Sequence, residues 1–279
     1  MKNAALLLYL ALLSACASKP APAPPAPVVR PIVIGEQRIV RSAALGDERE
    51  INIWLPPSYA QSGNRYPVVY LIDGALDQDF HHIAGLAQYG ALSSSFAELI
   101  VVGVQTKDRR AELTWRSTDA AEIRDFPTNG NSAAFRRFLT DEVRPLIEAN
   151  YRTNGEDALM GESLAGLFVV ESFLRHPQTA DGYIAISPSL WWDFGSLGKE
   201  ARRRLDDFPK GERKLYLAIA NERGAMRDGV LSIVSALKKE KRKGVAWNFS
   251  DRPDLEHATI YHREAQEALE WSFPRPKEK

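Results

Sequence analysis

Short hydrophobic runs alternate with amphipathic segments along the chain from residue 38 to residue 271. The short runs have the length and content of buried strands; they are Val68–Asp73, Leu99–Thr106, Asp157–Met160, Tyr183–Ser187, Leu215–Ala220 and Val245–Phe249. Segments with apolar residues at helical spacing, such as Leu164–Leu174, lie between several of them, and two earlier strand-like runs form a predicted hairpin. The pattern predicts an α/β protein with a mostly parallel sheet, helices on both faces and an antiparallel N-terminal hairpin.

The segment Gly161–Phe168, GESLAGLF, stands where one of these strands meets a predicted helix. In it, Ser163 lies between two small residues, Gly161 and Ala165. A sharp strand-to-helix turn strains the residue at its apex and requires small residues two positions away, which is the context of a nucleophile elbow. The helix that follows directs its first N–H groups at the serine. We therefore predict Ser163 as a nucleophile, with a serine that only caps the helix as the alternative.

A serine nucleophile needs a histidine base, which follows it in the chain order of the α/β-hydrolase fold. His257 comes after the strand-like run Val245–Asp251 and before the amphipathic segment Arg263–Trp271. We expect His257 on a loop at the carboxyl edge of the sheet, with the role of base. The other histidines are less well placed; they are His81, His82, His176 and His262.

The carboxylate that orients the base has more than one candidate. Glu222 comes directly after the strand-like run Lys214–Asn221, where a carboxylate reaches the imidazole nitrogen that faces away from the serine. Asp228 is the alternative, although it also suits the start of a helix. Glu256 is a third option, but adjacent side chains point apart, which makes it a poor partner for His257.

Backbone N–H donors near the serine are needed to stabilise a negatively charged intermediate. Leu164 directly follows Ser163 and supplies the first predicted donor. The second comes from the loop after Val68–Asp73, where Ala75 and Leu76 are both candidates.

Two tryptophans, Trp191 and Trp192, follow the strand-like run Tyr183–Ser187 at the same predicted edge. An indole offers a large apolar face and an N–H donor, which suits contact with an aromatic acyl or catecholate group. We expect one of the two to contact the substrate and the other to be structural.

Five runs make the chain similar to the esterase D-like family of α/β-hydrolases, which includes enterobactin-type siderophore esterases. They are LGDEREINIWLPPSYAQSGNRYPVVYLIDG (Leu45–Gly74), KDRRAELT (Lys107–Thr114), FRRFLTDEVRPLIEANYRTN (Phe135–Asn154), GESLAGLFVVESFL (Gly161–Leu174) and YIAISPSLWWD (Tyr183–Asp193). The resemblance implies the α/β-hydrolase sandwich, Ser163 as nucleophile, His257 as base and a carboxylate near Glu222. It also implies a serine esterase, with a siderophore such as a ferric enterobactin-like trilactone as substrate.

The chain departs from this family pattern at three positions. Glu162 stands where the family usually has histidine, Ala165 where it has glycine, and Ala111 where an arginine is expected. In siderophore esterases such arginines face an anionic ligand, so Arg109 and Arg110 are the candidates that compensate. The alternative functions are a carboxylesterase for feruloyl, acetyl or unrelated esters, an acyltransferase, and a non-catalytic siderophore-binding lipoprotein.

The first residues predict export and a lipid anchor. Lys2 precedes the apolar run Ala4–Leu13, which is too short to span a bilayer, and Cys16 follows shortly after. This pattern is typical of a bacterial lipoprotein signal over residues 1–15, with acylation of Cys16. Ala17 is not the aspartate associated with inner-membrane retention, so we expect the outer membrane.

The domain organisation follows from composition. Residues 16–33 are rich in proline and alanine and predict an extended spacer, residues 34–274 form the esterase domain, and residues 275–279 are a charged tail. We expect the domain to lie in the periplasm, in the cell envelope.

Charge and cysteine content exclude several other classes. Lys plus Arg and Asp plus Glu each number 36, so the formal net charge is zero and a nucleic-acid partner is not expected. Cys16 is the only cysteine, which excludes an intramolecular disulfide and a cysteine-type zinc site. We expect no metal, no organic cofactor and no obligate protein partner. The predicted partners are a small-molecule ester and, through the lipid anchor, a membrane.

Overall fold

The computed structural model describes residues 29–239 and 244–275. The predicted signal, the acylated Cys16 and most of the spacer lie outside the described residues, as does most of the charged tail. The contacts divide the chain after Val33, and the unit that begins at Ile34 contains the strands and helices given below. Within the two described ranges, no helix is both long and apolar enough to cross a membrane.

One sheet of eight strands forms the centre of this unit. The strands are β1 (Glu36–Arg41), β2 (Glu48–Trp54), β3 (Tyr66–Ile72), β4 (Ile100–Val104), β5 (Thr153–Glu162), β6 (Gly182–Ile186), β7 (Arg213–Ile219) and β8 (Val245–Asp251). Their order across the sheet is β1-β2-β4-β3-β5-β6-β7-β8. The β1/β2 and β2/β4 pairs are antiparallel and the other pairs are parallel. The predicted mostly parallel sheet with an N-terminal hairpin is confirmed.

Helices cover the sheet on both sides. They are α1 (Phe80–Ser93), α2 (Arg109–Glu112), α3 (Ala120–Asp125), α4 (Ser132–Arg137), α5 (Arg144–Asn150), α6 (Leu164–Arg175), α7 (Trp192–Asp206), α8 (Ala225–Lys239) and α9 (His257–Ser272). A short 3₁₀ turn precedes β3, and a π-helical segment joins α4 to α5. Buried residues of α1 and α9 form one core with the sheet, whereas those of α6, α7 and α8 form the core on the opposite face.

The central strand β3 shows why the sheet is buried on both faces. Val68, Tyr70 and Ile72 point into one core and Val69 and Leu71 into the other, and none of the five is more than 2% exposed. Full burial of such a side chain contributes about 1.5–3 kcal/mol. A strand with apolar residues on both faces is stable only between two helical layers, which is the arrangement that the continuous apolar runs predict.

Candidate active site

Ser163 occupies a strained turn between β5 and α6. Its backbone has φ 59° and ψ −117°, in the left-handed half of φ space, which costs about 1–3 kcal/mol for a residue other than glycine. The Ser163 N–H donates to the Ile186 carbonyl (3.1 Å), and the Ser163 carbonyl accepts from the Ser189 N–H (3.0 Å). A Cβ on Gly161 would lie 2.6 Å from the Cβ of Ala165. Gly161 therefore makes room for the methyl group that replaces the family glycine.

His257 lies between Ser163 and Glu222. Its Nε2 is 3.0 Å from Ser163 Oγ, and its Nδ1 is 2.7 Å from Glu222 Oε1. Burial of Glu222 opposes its ionisation, but hydrogen bonds from Ser187 and His257 outweigh that effect and lower the pKa of Glu222 below its ordinary value. The three side chains thus form the serine, histidine and carboxylate sequence that activates a hydroxyl nucleophile.

The prediction that His257 lies on a loop is wrong, because α9 begins at His257 itself. A capping box starts the helix early: the Glu256 carboxylate accepts from the Thr259 N–H, and Thr259 Oγ1 accepts from the Glu256 N–H at 3.1 Å. Both interactions satisfy N–H groups that have no partner inside the helix. The imidazole still lies at the carboxyl edge, next to the end of β7.

The structure brings Glu222 to His257 and leaves the two other candidate acids elsewhere. Asp228 lies in the first turn of α8, where its charge suits the helix N-terminus. The Glu256 carboxylate is engaged in the capping box. Of the three carboxylates considered, only Glu222 contacts the imidazole.

The candidate oxyanion donors are not equally available. Leu164 is the first residue of α6, so its N–H has no acceptor within the helix. The Ala75 N–H donates to Gln78 Oε1 (3.0 Å), and Gln78 Nε2 in turn donates to the Thr106 carbonyl (2.9 Å). Because the Ala75 N–H is already bonded to Gln78, Leu76 remains as the candidate for the second oxyanion donor.

An open cleft of about 860 Å³ leads to Ser163. Its lining has three cationic side chains and one carboxylate, together with aromatic, apolar and hydroxyl groups; the residues are Lys107, Asp108, Arg109, Arg110, Phe126, Leu164, Ser189, Trp191, Met226 and His257. Both arginines predicted to face a ligand are among them. The cleft therefore offers positive charge and aromatic surface next to the serine.

Local contacts position the two arginines differently. Arg109 Nε donates to Asp73 Oδ2 at 2.8 Å, and Asp73 is itself buried beneath it. The guanidinium of Arg110 lies 4.6 Å from the ring centroid of Phe126. The Phe126 ring also packs against the ring of Trp191, with a centroid distance of 5.9 Å. The aromatic pair thus supports the more exposed Arg110, whereas a buried carboxylate holds Arg109.

Trp191 and Trp192 have different environments. Trp191 is half-buried and lines the cleft. Trp192 is fully buried, and its Nε1 donates to the Trp115 carbonyl (3.1 Å). Of the two tryptophans, only Trp191 is therefore open to a ligand in this cleft, because the Trp192 side chain presents no surface.

Sequence reasoning missed a carboxylate beside the base. Glu162 Oε1 lies 3.4 Å from His257 Nε2. Burial raises the pKa of Glu162 to about 7, with a further rise from the charges of Asp79 and Asp73, against the opposite influence of His257 and Arg109. The departure from the family histidine at this position was the one available signal. Among the residues described, no group of His, Cys, Asp or Glu is arranged to hold a metal ion.

A second hydroxyl near the nucleophile was also missed. Ser189 Oγ lies 3.3 Å from Ser163 Oγ. Ser189 follows β6, which is paired with β5 in parallel, so the two strands end side by side. Only the position of the SPS segment after a predicted strand pointed to it.

Comparisons with known proteins agree with this geometry. The family model described as "Putative esterase" matches residues 42–270. The siderophore triacetylfusarinine C esterase of Aspergillus fumigatus is 29% identical over 147 residues, 49% of this chain and 48% of that protein. The ferri-bacillibactin esterase BesA of Bacillus subtilis is 24% identical over 144 residues, 49% of this chain and 50% of that protein. These alignments therefore span about half of each relative.

Among solved structures, the chain is similar to an IroE-like serine hydrolase from Shewanella oneidensis. The TM-score is 0.74 at 28% identity, and the alignment covers 86% of this chain and 80% of that one. The likeness in fold thus extends over most of each chain.

Proposed function

Because the chain belongs to the Putative esterase family and is a carboxylic ester hydrolase, we propose that it is a siderophore esterase of the bacterial cell envelope. Its substrate would be a ferric enterobactin-like trilactone. The observation that carries the proposal is a single arrangement: the hydrogen-bonded series Ser163, His257 and Glu222 opens into a cationic and aromatic cleft.

The first half of the reaction forms an acyl-enzyme. His257 Nε2 takes the proton of Ser163 as Oγ attacks the ester carbonyl, and Glu222 stabilises the imidazolium through Nδ1–H. The N–H groups of Leu164 and Leu76 stabilise the oxyanion. His257 then returns the proton to the departing alcohol as the ester C–O bond breaks.

The second half repeats these steps with water. His257 takes a proton from a water molecule that attacks the acyl-enzyme carbonyl, and the bond to Ser163 Oγ breaks as the proton returns to that oxygen. The products are a carboxylic acid and the alcohol released earlier. Ferric ion enters this scheme as part of the substrate.

The cleft supports the choice of substrate. A catecholate siderophore is anionic, and the guanidinium groups of Arg109 and Arg110 attract negative charge. The half-buried ring of Trp191 offers a face for an aromatic group. The two relatives named for siderophore esters support the same class, although each alignment covers only about half of the chain.

The proposed location is based on the N-terminal sequence. Lys2, the apolar run Ala4–Leu13 and Cys16 together favour a lipoprotein signal with acylation of the cysteine. The proline-rich spacer would then hold the catalytic domain in the periplasm, at the outer membrane. A siderophore captured in the envelope would meet the esterase there.

A hydrolysis time course tests the proposal. Ferric and iron-free enterobactin are each incubated with the protein and with its Ser163→Ala variant, beside a short p-nitrophenyl ester. We expect the wild-type chain to open the trilactone and the variant to lose about 10⁴-fold or more of this activity. Cleavage of the simple ester alone would refute the siderophore substrate and favour a general carboxylesterase. New esters formed on addition of an acceptor alcohol would indicate an acyltransferase, and inactivity toward every ester would favour a binding protein.

A further inference from the structure

The imidazole nitrogen that faces the nucleophile also faces a second carboxylate. His257 Nε2 is 3.0 Å from Ser163 Oγ and 3.4 Å from Glu162 Oε1. Neighbouring side chains in a strand point to opposite sides. Here β5 ends at Glu162 and the chain turns at Ser163 with φ 59°, so both side chains reach the same ring.

We infer that Glu162 sets, through His257, the pH range in which Ser163 is activated. A proton on Nε2 blocks the base, and the negative charge of Glu162 at 3.4 Å attracts that proton, so activity requires its loss. Glu162 is thus a positioning residue for a proton, distinct from Glu222, which orients the ring through Nδ1. The inference rests on the proposed roles of Ser163 and His257, and it does not depend on which ester is the natural substrate.

Burial is the main cause that raises the pKa of Glu162, and the charges around it act in both directions. Its side chain is 19% exposed, and it meets charged or titratable groups from three other parts of the fold. They are Asp73 and Asp79 from the segment between β3 and α1, Arg109 from α2, and His257 and Tyr261 from α9. The two aspartates favour a proton on Glu162. His257 and Arg109, whose guanidinium is also paired with Asp73 at 2.7 Å, favour the ionised form instead.

The remaining neighbour does not change charge in the same range. Burial, reinforced by the charges of Asp79 and Glu162, raises the pKa of the Tyr261 phenol well above its ordinary value. Tyr261 therefore stays neutral while Glu162 changes its charge. Burial together with the nearby carboxylates raises the pKa of Glu162 to about 7. Glu162 therefore changes from its protonated to its ionised form within the pH range in which a histidine acts as a base.

The proton balance gives the direction of the effect. In the reactive form, Glu162 is ionised and Nε2 is unprotonated, so Nε2 can accept the proton of Ser163. An added proton on Nε2 occupies the lone pair that Ser163 needs. The ionised carboxylate of Glu162, 3.4 Å away, attracts a proton to this position.

The same charge assists the reaction once the proton has left. The imidazolium that forms as Ser163 attacks lies beside an ionised carboxylate on each side, Glu222 at Nδ1 and Glu162 at Nε2. Loss of the Glu162 charge therefore has two expected consequences. Activity extends to lower pH, and the maximal rate falls.

A pH profile of kcat/KM tests the inference, with a neutral p-nitrophenyl ester as substrate for the full chain. We expect Glu162→Gln to lower the pH of half-maximal kcat/KM by about one to two units. The plateau at high pH should fall by roughly three- to tenfold. Glu162→Asp keeps the charge, and its midpoint is expected within about half a unit of the wild-type value.

A matched control removes the same charge without contact to the ring. Asp254 lies on the segment before α9, and its exposed carboxylate pairs with Arg252 Nη2 at 3.0 Å. Asp254→Asn is expected to leave the midpoint unchanged. An equal shift in Asp254→Asn, or an equal shift in Glu162→Asp, would overturn the inference, because the effect would then not come from a charge at Nε2.

A Ser163→Ala variant distinguishes failure of the proposed nucleophile from failure of the role of Glu162. Activity close to that of the wild-type chain in that variant would refute the proposed nucleophile. Loss of activity in it, together with an unshifted profile in Glu162→Gln, would refute the role of Glu162 alone. If Glu162→Gln does not fold, as judged by near-ultraviolet circular dichroism, Asp79→Asn changes the same balance of charge. A midpoint that then fails to fall would also overturn the inference.

Discussion

Two glutamates contact the imidazole of His257 from opposite sides, and their environments shift their pKa values in opposite directions. Glu222 is 10% exposed and Glu162 is 19% exposed, so both are removed from water to a similar degree. Hydrogen bonds from Ser187 and His257 lower the pKa of Glu222, whereas burial without such compensation, beside Asp79, raises that of Glu162 to about 7. Burial alone therefore does not decide the charge of a carboxylate; the donors and charges around it do.

The difference assigns different tasks to the same kind of side chain. Glu222 stays ionised through the neutral range and holds the imidazole by Nδ1. Glu162 changes its charge in that range and competes with Ser163 at Nε2. Pairs of titratable groups with opposite shifts are characteristic of sites where one group orients and the other exchanges a proton.

Replacement of Glu222 is expected to give the largest effect. In Glu222→Gln, an amide replaces the acceptor of the Nδ1–H group, so the tautomer that Ser163 needs loses its support. We expect kcat/KM for a neutral ester to fall by about 10³- to 10⁴-fold. Asp228→Asn, which alters the carboxylate that lies in the first turn of α8, should stay within about twofold of wild type. Equal losses in Glu222→Gln and Glu162→Gln would contradict the division of roles.

The fold was predictable because its strands and helices follow their local patterns. The continuous apolar run of β3 indicates a strand covered on both faces, and residues 164–174 predicted α6 to within one residue. The ends of β5 were not predictable in this way. Its observed span, Thr153–Glu162, extends beyond the apolar run Asp157–Met160 because backbone pairing with β3 and β6 continues through polar residues.

The candidate site was predictable where chain order carries the information. Ser163, Glu222 and His257 each follow a strand of a parallel sheet, so topology alone brings them to one edge. The environment of Glu162 depends on contacts with Asp79 and other residues distant in sequence. Such contacts depend on packing between elements and have no local signature. The same limit applies to Trp192, whose burial follows from the packing around it.

Ionisation of the two glutamates is expected to change the stability of the fold in opposite directions. Folding raises the pKa of Glu162 from 4.5 to about 7. Its favourable contribution to the free energy of unfolding is therefore fully present below pH 4.5 and is lost as the pH rises through 7. Glu162→Gln is therefore expected to raise the free energy of unfolding by about 1–3 kcal/mol near pH 8. The lowered pKa of Glu222 gives stability that is present at neutral pH and lost on acidification.

Urea unfolding near pH 8 and near pH 4.5 measures this contrast. Glu162→Gln should stabilise the protein at the higher pH, with the gain disappearing at the lower pH. Glu222→Gln should destabilise it at the higher pH. A gain in Glu162→Gln of the same size at both pH values would show that packing, and not ionisation, is responsible.

The smallest expected effect comes from a charge that acts on Glu162 from the next loop. Burial and the charge of Asp73 raise the pKa of Asp79 to about 6, so Asp79 is mostly ionised at neutral pH and repels the Glu162 carboxylate. Asp79→Asn should lower the midpoint of the kcat/KM profile by about a few tenths of a pH unit. The exposed Asp77 is the control in the same loop, and Asp77→Asn should leave the midpoint unchanged. A charge effect requires the shift to decrease from Glu162→Gln to Asp79→Asn to Asp77→Asn, whereas a general distortion of the loop predicts no such order.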